Sequence, residues 1–207
     1  SPGDQDGARA ALGLAPGVPV LLFVGRIQPL KGLDVAVAAL AGLHRDDALL
    51  DVVGGPSGAD GLAEEARVRA LADTLGVADR IRFVAPQPHH LLSTYYRAAD
   101  VCLVPSRSES FGLVALEAAA CGTPVVASAV GGLTTLVEPG RTGFLIEGRD
   151  PLDFAAATDA LLCDPGLART MSLAAATRAR GYTWSTTAAR LRRLYTDLTA
   201  RELVDCS

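Results

Sequence analysis

Asparagine is absent from this 207-residue sequence, so the sequence contains no site for N-glycosylation. Lysine occurs once, as Lys31, beside 18 arginines. No apolar run reaches a dozen residues, which argues against a membrane-spanning helix. A basic excess is lacking too: the formal net charge is −4, whereas a nucleic-acid-binding domain usually carries a basic patch. We therefore expect no transmembrane segment and no nucleic-acid partner. Lys31 is a candidate functional cation, and the alternative is that a single lysine persists by chance.

Cysteine and histidine are also scarce, and neither is arranged as a metal site. None of the four cysteines forms a C-x-x-C pair, and free thiols in a reducing cytoplasm fit them better than disulfides or zinc ligands. His89 and His90 are adjacent and so cannot share a helix face, which favours the first turn of a helix over a metal site. We expect a cytoplasmic protein with free thiols at Cys102, Cys121, Cys163 and Cys206.

Short apolar runs alternate with longer helical patterns along most of the chain. Continuous apolar strands joined by helices are typical of a parallel sheet covered on both faces, and right-handed crossovers make such a sheet doubly wound. The predicted strands are 20–24, 48–53, 81–84, 101–104, 125–127 and 143–146. The predicted helices are 33–43, 62–75, 91–99, 113–120, 133–137, 151–163, 165–180 and 184–201. We predict an α/β fold: one domain over residues 1–207, with a doubly wound, parallel, six-stranded Rossmann-like sheet and extra C-terminal helices.

In such sheets, ligands bind beyond the carboxyl ends of the strands, so the strand-end loops are the candidate sites. The loop after the first strand runs from Gly25 to Gly32 and contains Arg26 and Lys31 at the start of a helix. Two cations beside free helix N–H groups suit a diphosphate. The loop is not a Walker A motif, because Leu30 stands where that motif has its second glycine. A simple polar surface turn is the alternative.

The loop after the fourth strand, residues 105–112, carries the most information. Glu109 stands just before a helix, and Glu117 lies inside it. Two carboxylates beside the unpaired N–H groups of a helix start match a sugar nucleotide: Glu109 would accept from sugar hydroxyls and Glu117 from the ribose. The alternative for Glu109 is an acid favoured by the helix dipole. Glu117 has mostly apolar neighbours, and a buried carboxylate needs partners.

Two further loops contain adjacent glycines. Residues 54–58 follow the second strand but lack the G-x-G-x-x-G pattern, which argues against a nicotinamide-dependent dehydrogenase. Gly131-Gly132 opens a helix after the fifth strand. Gly54 and Gly55 either let a ligand approach the backbone closely or form a flexible loop. Gly131 and Gly132 either bring backbone N–H groups to a phosphate or sugar, or form a tight strand-to-helix turn.

Taken together, these motifs resemble the donor half of a family 4 retaining glycosyltransferase with the GT-B architecture. The resemblance rests on Gly25-Arg26 with Lys31, on Glu109 and Glu117 with Ser110-Phe111-Gly112 between them, and on the strings 122–127 and 131–132. It covers essentially the whole chain. The strings 25–31 and 54–58 most resemble the branch that glycosylates inositol phosphates in actinobacterial mycothiol biosynthesis.

The resemblance implies roles for individual residues. Arg26 and Lys31 would grip the diphosphate of a UDP-sugar, Glu109 the 3- and 4-hydroxyls of the transferred sugar, and Glu117 the ribose. The catalytic set would be Arg26, Lys31 and Glu109. Residues 83–88 would hold the uracil, although relatives often carry arginine at Gln87. The donor-binding set would be Gly25, Arg26, Lys31, Gln87, Glu109, Phe111, Gly112, Leu113 and Glu117.

The resemblance also implies a reaction: transfer of GlcNAc from UDP-GlcNAc to an inositol phosphate, with retention and without a required cofactor. A structural Mg²⁺ would be held through Tyr96, Arg97, Ala99 and Thr123. An N-terminal acceptor domain would precede this segment, so the isolated chain would bind donor without transferring it, and the full-length enzyme would be a homodimer. The alternatives are a non-catalytic nucleotide-sugar binding module and a related transferase with another donor sugar.

Overall fold

The computed structural model describes residues 3–200 and confirms the predicted fold class. Six parallel strands form one sheet in the order β3-β2-β1-β4-β5-β6, the doubly wound arrangement. The strands are β1 (Val20–Val24), β2 (Leu49–Val53), β3 (Ile81–Val84), β4 (Val101–Val104), β5 (Val125–Ser128) and β6 (Gly143–Ile146). Four strands have the predicted bounds, and β2 and β5 differ by one residue at one end.

Nine α-helices precede, connect or follow these strands within the described residues. They are α1 (Gln5–Ala11), α2 (Leu33–Ala41), α3 (Gly61–Thr74), α4 (His89–Ala98), α5 (Leu113–Cys121), α6 (Leu133–Leu136), α7 (Pro151–Cys163), α8 (Pro165–Ala179) and α9 (Trp184–Ala200). Short 3₁₀ turns occupy Pro29–Lys31 and Ala78–Arg80. None of the helices in the described part of the chain is long and apolar enough to cross a membrane.

Helix α1 was not predicted, because its sequence has no apolar stripe. Only Ala8 of this helix is buried. Ala8 packs in a small apolar cluster with Ala98 and Val20. Polar contacts add to it: Arg9 donates to the Ala98 carbonyl (2.9 Å) and pairs with Asp100 (2.6 Å). Asp100 follows α4 directly, so α1 is held against the end of α4 by a contact that local sequence periodicity does not reveal.

The core lies on both faces of the sheet, as the continuous apolar strands predict. Leu21 and Phe23 of β1 face a cluster covered by α2, α3 and α7, whereas Leu22 faces a cluster covered by α4, α5 and α6. Of the cysteines, Cys102 is buried in the second cluster. The thiols of Cys102, Cys121 and Cys163 are free, as predicted, and Cys206 lies outside the described residues.

Strand β2 contains one charged residue among apolar ones. Asp51 is 1% exposed, and its two oxygens accept from Nε and Nη2 of Arg82 on β3, each at 2.6 Å. The two residues are direct neighbours in the parallel register. A two-bond pair of this kind satisfies the buried carboxylate and joins the two strands at one edge of the sheet.

Removing Arg82 is therefore expected to be costly. Arg82→Met keeps the length of the side chain but leaves the Asp51 carboxylate buried without its cation, which costs about 3 kcal/mol of unfolding free energy. Arg141→Met removes the exposed Arg141–Glu138 pair and is the matched control, with a cost below about 1 kcal/mol. Urea denaturation of both variants measures the difference, and equal midpoints would contradict the role assigned to Arg82.

Candidate functional site

The candidate site lies where the chain leaves the sheet in two directions. Strands β1 and β4 are neighbours, but β1 leads to α2 on one face and β4 leads to α5 on the other. The loops beyond them, residues 25–32 and 105–112, therefore separate and leave a crevice at the carboxyl edge. In doubly wound sheets, ligands bind at this switch point.

These two loops touch through their backbones. Gly32 has φ = +73°, and a Cβ atom there would lie 2.1 Å from the Pro105 carbonyl oxygen, so only glycine fits. The Arg107 N–H donates to the Leu30 carbonyl (2.9 Å), and Arg107 Nε donates to Pro29 (3.1 Å). The loop after β4 is thus fixed against the loop after β1.

An ion pair joins the loops at the crevice. Lys31 Nζ lies 2.8 Å from Glu109 Oε2, and the two side chains are only 21% and 15% exposed. Both residues were predicted for the site from separate motifs, and the structure brings them together. Arg26 is exposed, and no carboxylate among residues 3–200 lies within ion-pair distance of it. Its guanidinium is therefore accessible to an anion.

Helix α5 begins beside this pair. Gly112, with φ = +95°, precedes Leu113, the first residue of α5. Gly112 packs closely on Leu133, so a Cβ atom on Gly112 would lie 2.9 Å from Leu133 Cδ2. The first N–H groups of a helix have no acceptor within the helix, and they carry partial positive charge. The exposed ring of Phe111 packs edge-on against Tyr182, with centroids 6.3 Å apart. The helix start thus borders the crevice.

Glu117 has the partners that its apolar surroundings require. The Tyr96 hydroxyl donates to Oε2 (2.8 Å), and His89 Nε2 lies 2.9 Å from Oε1. Burial raises the pKa of Tyr96 well above its usual range, so the hydroxyl remains a donor. Sequence reasoning missed both partners, which lie 21 and 28 residues away and share no local pattern with Glu117.

The loop after β5 contacts the backbone of Glu109. The Gly132 N–H donates to the Glu109 carbonyl (2.9 Å), so this N–H is already used within the protein. Of the two interpretations of Gly131-Gly132, a tight turn describes that contact.

Gln87, between β3 and α4, donates through Nε2 to the Ala85 carbonyl (2.9 Å).

The four residues predicted for magnesium are gathered at the opposite edge of the sheet. Tyr96 and Arg97 lie in the last turn of α4, Ala99 follows that helix, and Thr123 lies two residues before β5. The Thr123 hydroxyl donates to the Tyr96 carbonyl (2.5 Å), and Gln5 donates to the Ala99 carbonyl (3.2 Å). Carbonyl oxygens at a helix end and a hydroxyl are hard ligands, so the chemistry of this donor set fits Mg²⁺. Among residues 3–200, His, Cys, Asp and Glu side chains form no metal-binding group of three or more.

The close packing of the loops predicts that a side chain at Gly131 lowers the free energy of unfolding. Gly131 has φ = +47°, and a Cβ atom there would lie 2.0 Å from the Glu109 carbonyl oxygen. Gly140 also has positive φ, +73°, but nothing lies within 4 Å of its Cβ position. Gly140→Ala should cost about 1–2 kcal/mol from backbone strain alone, and Gly131→Ala roughly twice that, because the loop of Glu109 must also move.

Urea unfolding of the two variants tests this contrast, with unchanged m-values as the sign that both remain two-state. Equal losses of stability would show that the loop of Glu109 yields freely to a methyl group.

Three comparisons place this geometry among known proteins. The profile of the family described as "Glycosyl transferases group 1" matches residues 4–178. The D-inositol 3-phosphate glycosyltransferase 2 of Catenulispora acidiphila is 50% identical over 200 residues, which are 94% of this chain and 47% of that protein. The D-inositol 3-phosphate glycosyltransferase of Nocardia farcinica is 52% identical over 198 residues, 94% of this chain and 44% of that protein. The chain thus spans about half the length of the relatives it matches.

Solved structures agree with the sequence relatives. The sucrose-phosphate synthase of Thermosynechococcus elongatus superposes with a TM-score of 0.87 at 40% identity, covering 95% of this chain and 49% of that one. Anabaena Alr3699/HepE, solved in complex with UDP and glucose, superposes with a TM-score of 0.86 at 26% identity, covering 95% and 53%. These neighbours are GT-B glycosyltransferases, which confirms the predicted fold class as half of that architecture.

Proposed function

The chain belongs to the glycosyl transferases group 1 family, and from this premise we propose that it is the half of a retaining hexosyltransferase that binds the nucleotide sugar. The observation that carries the proposal is the Lys31–Glu109 pair at the switch point, beside the accessible Arg26 and the start of α5. Two cations, a carboxylate and a helix N-terminus around one crevice suit a ligand that is anionic at one end and hydroxylated at the other.

Arg26 and Lys31 bind the diphosphate in this proposal, together with the N–H groups of Phe111, Gly112 and Leu113 and the backbone of Gly25. An ammonium has three donors, so Lys31 can bind a phosphate oxygen while it keeps its bond to Glu109. As the bond to the leaving group breaks, negative charge grows on the diphosphate. Fixed cations and a helix N-terminus stabilise that charge without reorganising, which is a main source of catalysis.

The carboxylates divide the rest of the donor between them. Glu109 accepts from the 3- and 4-hydroxyls of the sugar, and Glu117 from the ribose hydroxyls. The backbone of residues 83–88, with Gln87, holds the base. The support for a UDP-sugar is that Anabaena HepE, a structural neighbour, was solved with UDP and glucose. GlcNAc as the sugar rests on the resemblance to the inositol phosphate branch.

Transfer proceeds with retention in this proposal. The acceptor hydroxyl attacks the anomeric carbon from the side of the leaving diphosphate. The bond from that carbon to the phosphate oxygen breaks, the new glycosidic bond forms, and a phosphate oxygen of the donor takes the hydroxyl proton. A pair of carboxylates at glycosidase spacing is then unnecessary. Arg26, Lys31 and Glu109 hold the donor in place for this step.

The acceptor is an inositol phosphate, supported by the roughly 50% identity to D-inositol 3-phosphate glycosyltransferases. Because the chain spans about half of those relatives, we assign acceptor binding to a second domain and expect donor binding without transfer from this chain alone. We place the enzyme in the cytoplasm and expect the full-length form to be a homodimer. Magnesium, if bound by Tyr96, Arg97, Ala99 and Thr123, would fasten α4 to the segment before β5 at the edge opposite the donor.

Isothermal titration with UDP, GDP and ADP tests the proposal directly. We expect the chain to bind UDP in preference to GDP and ADP. Arg26→Ala should weaken UDP binding by about tenfold or more, because a charge-assisted contact to phosphate is lost. Arg141→Ala, an exposed arginine 74% open to solvent on the turn before β6, is the matched control and should bind like the wild type. A preference for GDP would overturn the donor assignment.

The two carboxylates should respond differently to the sugar. Glu117→Ala should weaken binding of plain UDP by roughly tenfold to a hundredfold, because the ribose is present in UDP. Glu109→Ala should bind UDP as tightly as the wild type or more tightly, because Lys31 loses its competing partner, yet bind UDP-GlcNAc more weakly. Equal losses for both variants with plain UDP would contradict these roles.

A further inference from the structure

The two oxygens of the Glu117 carboxylate are held very differently. Oε2 accepts from the hydroxyl of Tyr96, a residue that is 1% exposed. Oε1 contacts His89, whose ring is 82% exposed. An exposed ring on a surface contact is easily displaced, whereas a buried hydroxyl without other acceptors is not. Glu117 therefore has one permanent partner and one replaceable partner.

Tyr96 is itself fixed at both its backbone and its ring. Its carbonyl accepts from the buried Thr123 hydroxyl (2.5 Å), which ties the end of α4 to the segment before β5. Its ring lies in the apolar cluster that includes Cys102 and Ala118. The Tyr96 hydroxyl is thus held in place by the backbone and by the apolar cluster, and its hydrogen bond fixes the orientation of the Glu117 carboxylate.

We propose that Tyr96 is a positioning residue: it holds Glu117 so that Oε1 meets the ribose hydroxyls of the nucleotide, and His89 leaves when the nucleotide binds. This inference rests on the proposed function. Its consequence is selectivity for a ribonucleotide over a deoxyribonucleotide. A carboxylate free to rotate would lose less when a ribose hydroxyl is missing, because water or His89 would replace it. A carboxylate fixed by Tyr96 cannot adapt in that way.

The test compares UDP with 2′-deoxy-UDP and 3′-deoxy-UDP by titration calorimetry. The wild-type chain should bind UDP at least about tenfold more tightly than the weaker of the two deoxy analogues. Tyr96→Phe removes only the oxygen, and it should reduce that ratio to about threefold or less, mainly by weakening UDP. Tyr95→Phe, the adjacent tyrosine of α4, is the matched control and should keep the wild-type ratio.

A purely structural Tyr96 would lower the melting temperature of Tyr96→Phe without changing the ratio between the analogues. That result would overturn the inference. A wild type that binds UDP and both deoxy analogues equally would overturn the inference as well. That result would not affect the assignment of the diphosphate, which the Arg26→Ala variant tests separately. A wild type that binds no UDP would overturn the proposed function itself.

A crystal structure of the wild-type chain with UDP tests the same inference without any variant. We expect Glu117 Oε2 to remain on the Tyr96 hydroxyl, Oε1 to accept from the ribose, and His89 to be released. His89→Ala should accordingly bind UDP as tightly as the wild type or more tightly. A complex in which Tyr96 is released and His89 stays on Glu117 would overturn the proposal.

Discussion

Strands β1 and β4 lie side by side at the centre of the sheet, but the connections that leave them run to opposite faces. This divergence follows from parallel strands joined by right-handed crossovers, and it leaves a crevice between the two loops. Lys31 on the β1 side meets Glu109 on the β4 side, and the exposed Arg26 belongs to the same loop as Lys31. The chemistry of the site is therefore built by elements that are far apart in sequence and that the sheet brings side by side.

Close backbone contacts join the loops after β1, β4 and β5 to one another. The loop after β4 rests on the loop after β1 at Gly32, and the loop after β5 supports it at Gly131. Each contact leaves no room for a side chain, so the loops cannot shift independently. Preorganisation of this kind lowers the entropy lost when a ligand binds, because the charged groups already stand near their working positions.

The sequence predicted the layers of the fold well and the contacts between them poorly. Strands such as β1 and β4 were predicted to the residue, because a strand buried on both faces is a continuous apolar run that glycine or proline ends. Helix α1 was missed, because it has no apolar stripe: one buried alanine and the ion pair of Arg9 with Asp100 hold it. Glu109 and Glu117 were predicted as site residues from the chemistry of a helix start, which is local information.

The partners of Glu117 illustrate what local information leaves out. Its need for partners follows from its apolar neighbours, but their identity depends on how α4 packs on α5, which is a property of the whole sheet. The Lys31–Glu109 pair also depends on the whole sheet. Each residue was predicted from its own local motif, and only the fold brings the two together. In both cases a carboxylate that would serve the ligand is oriented beforehand by hydrogen bonds within the protein. Its contact to an accessible group can be exchanged for a ligand hydroxyl, so binding replaces one hydrogen bond with another instead of exposing an unpaired buried charge.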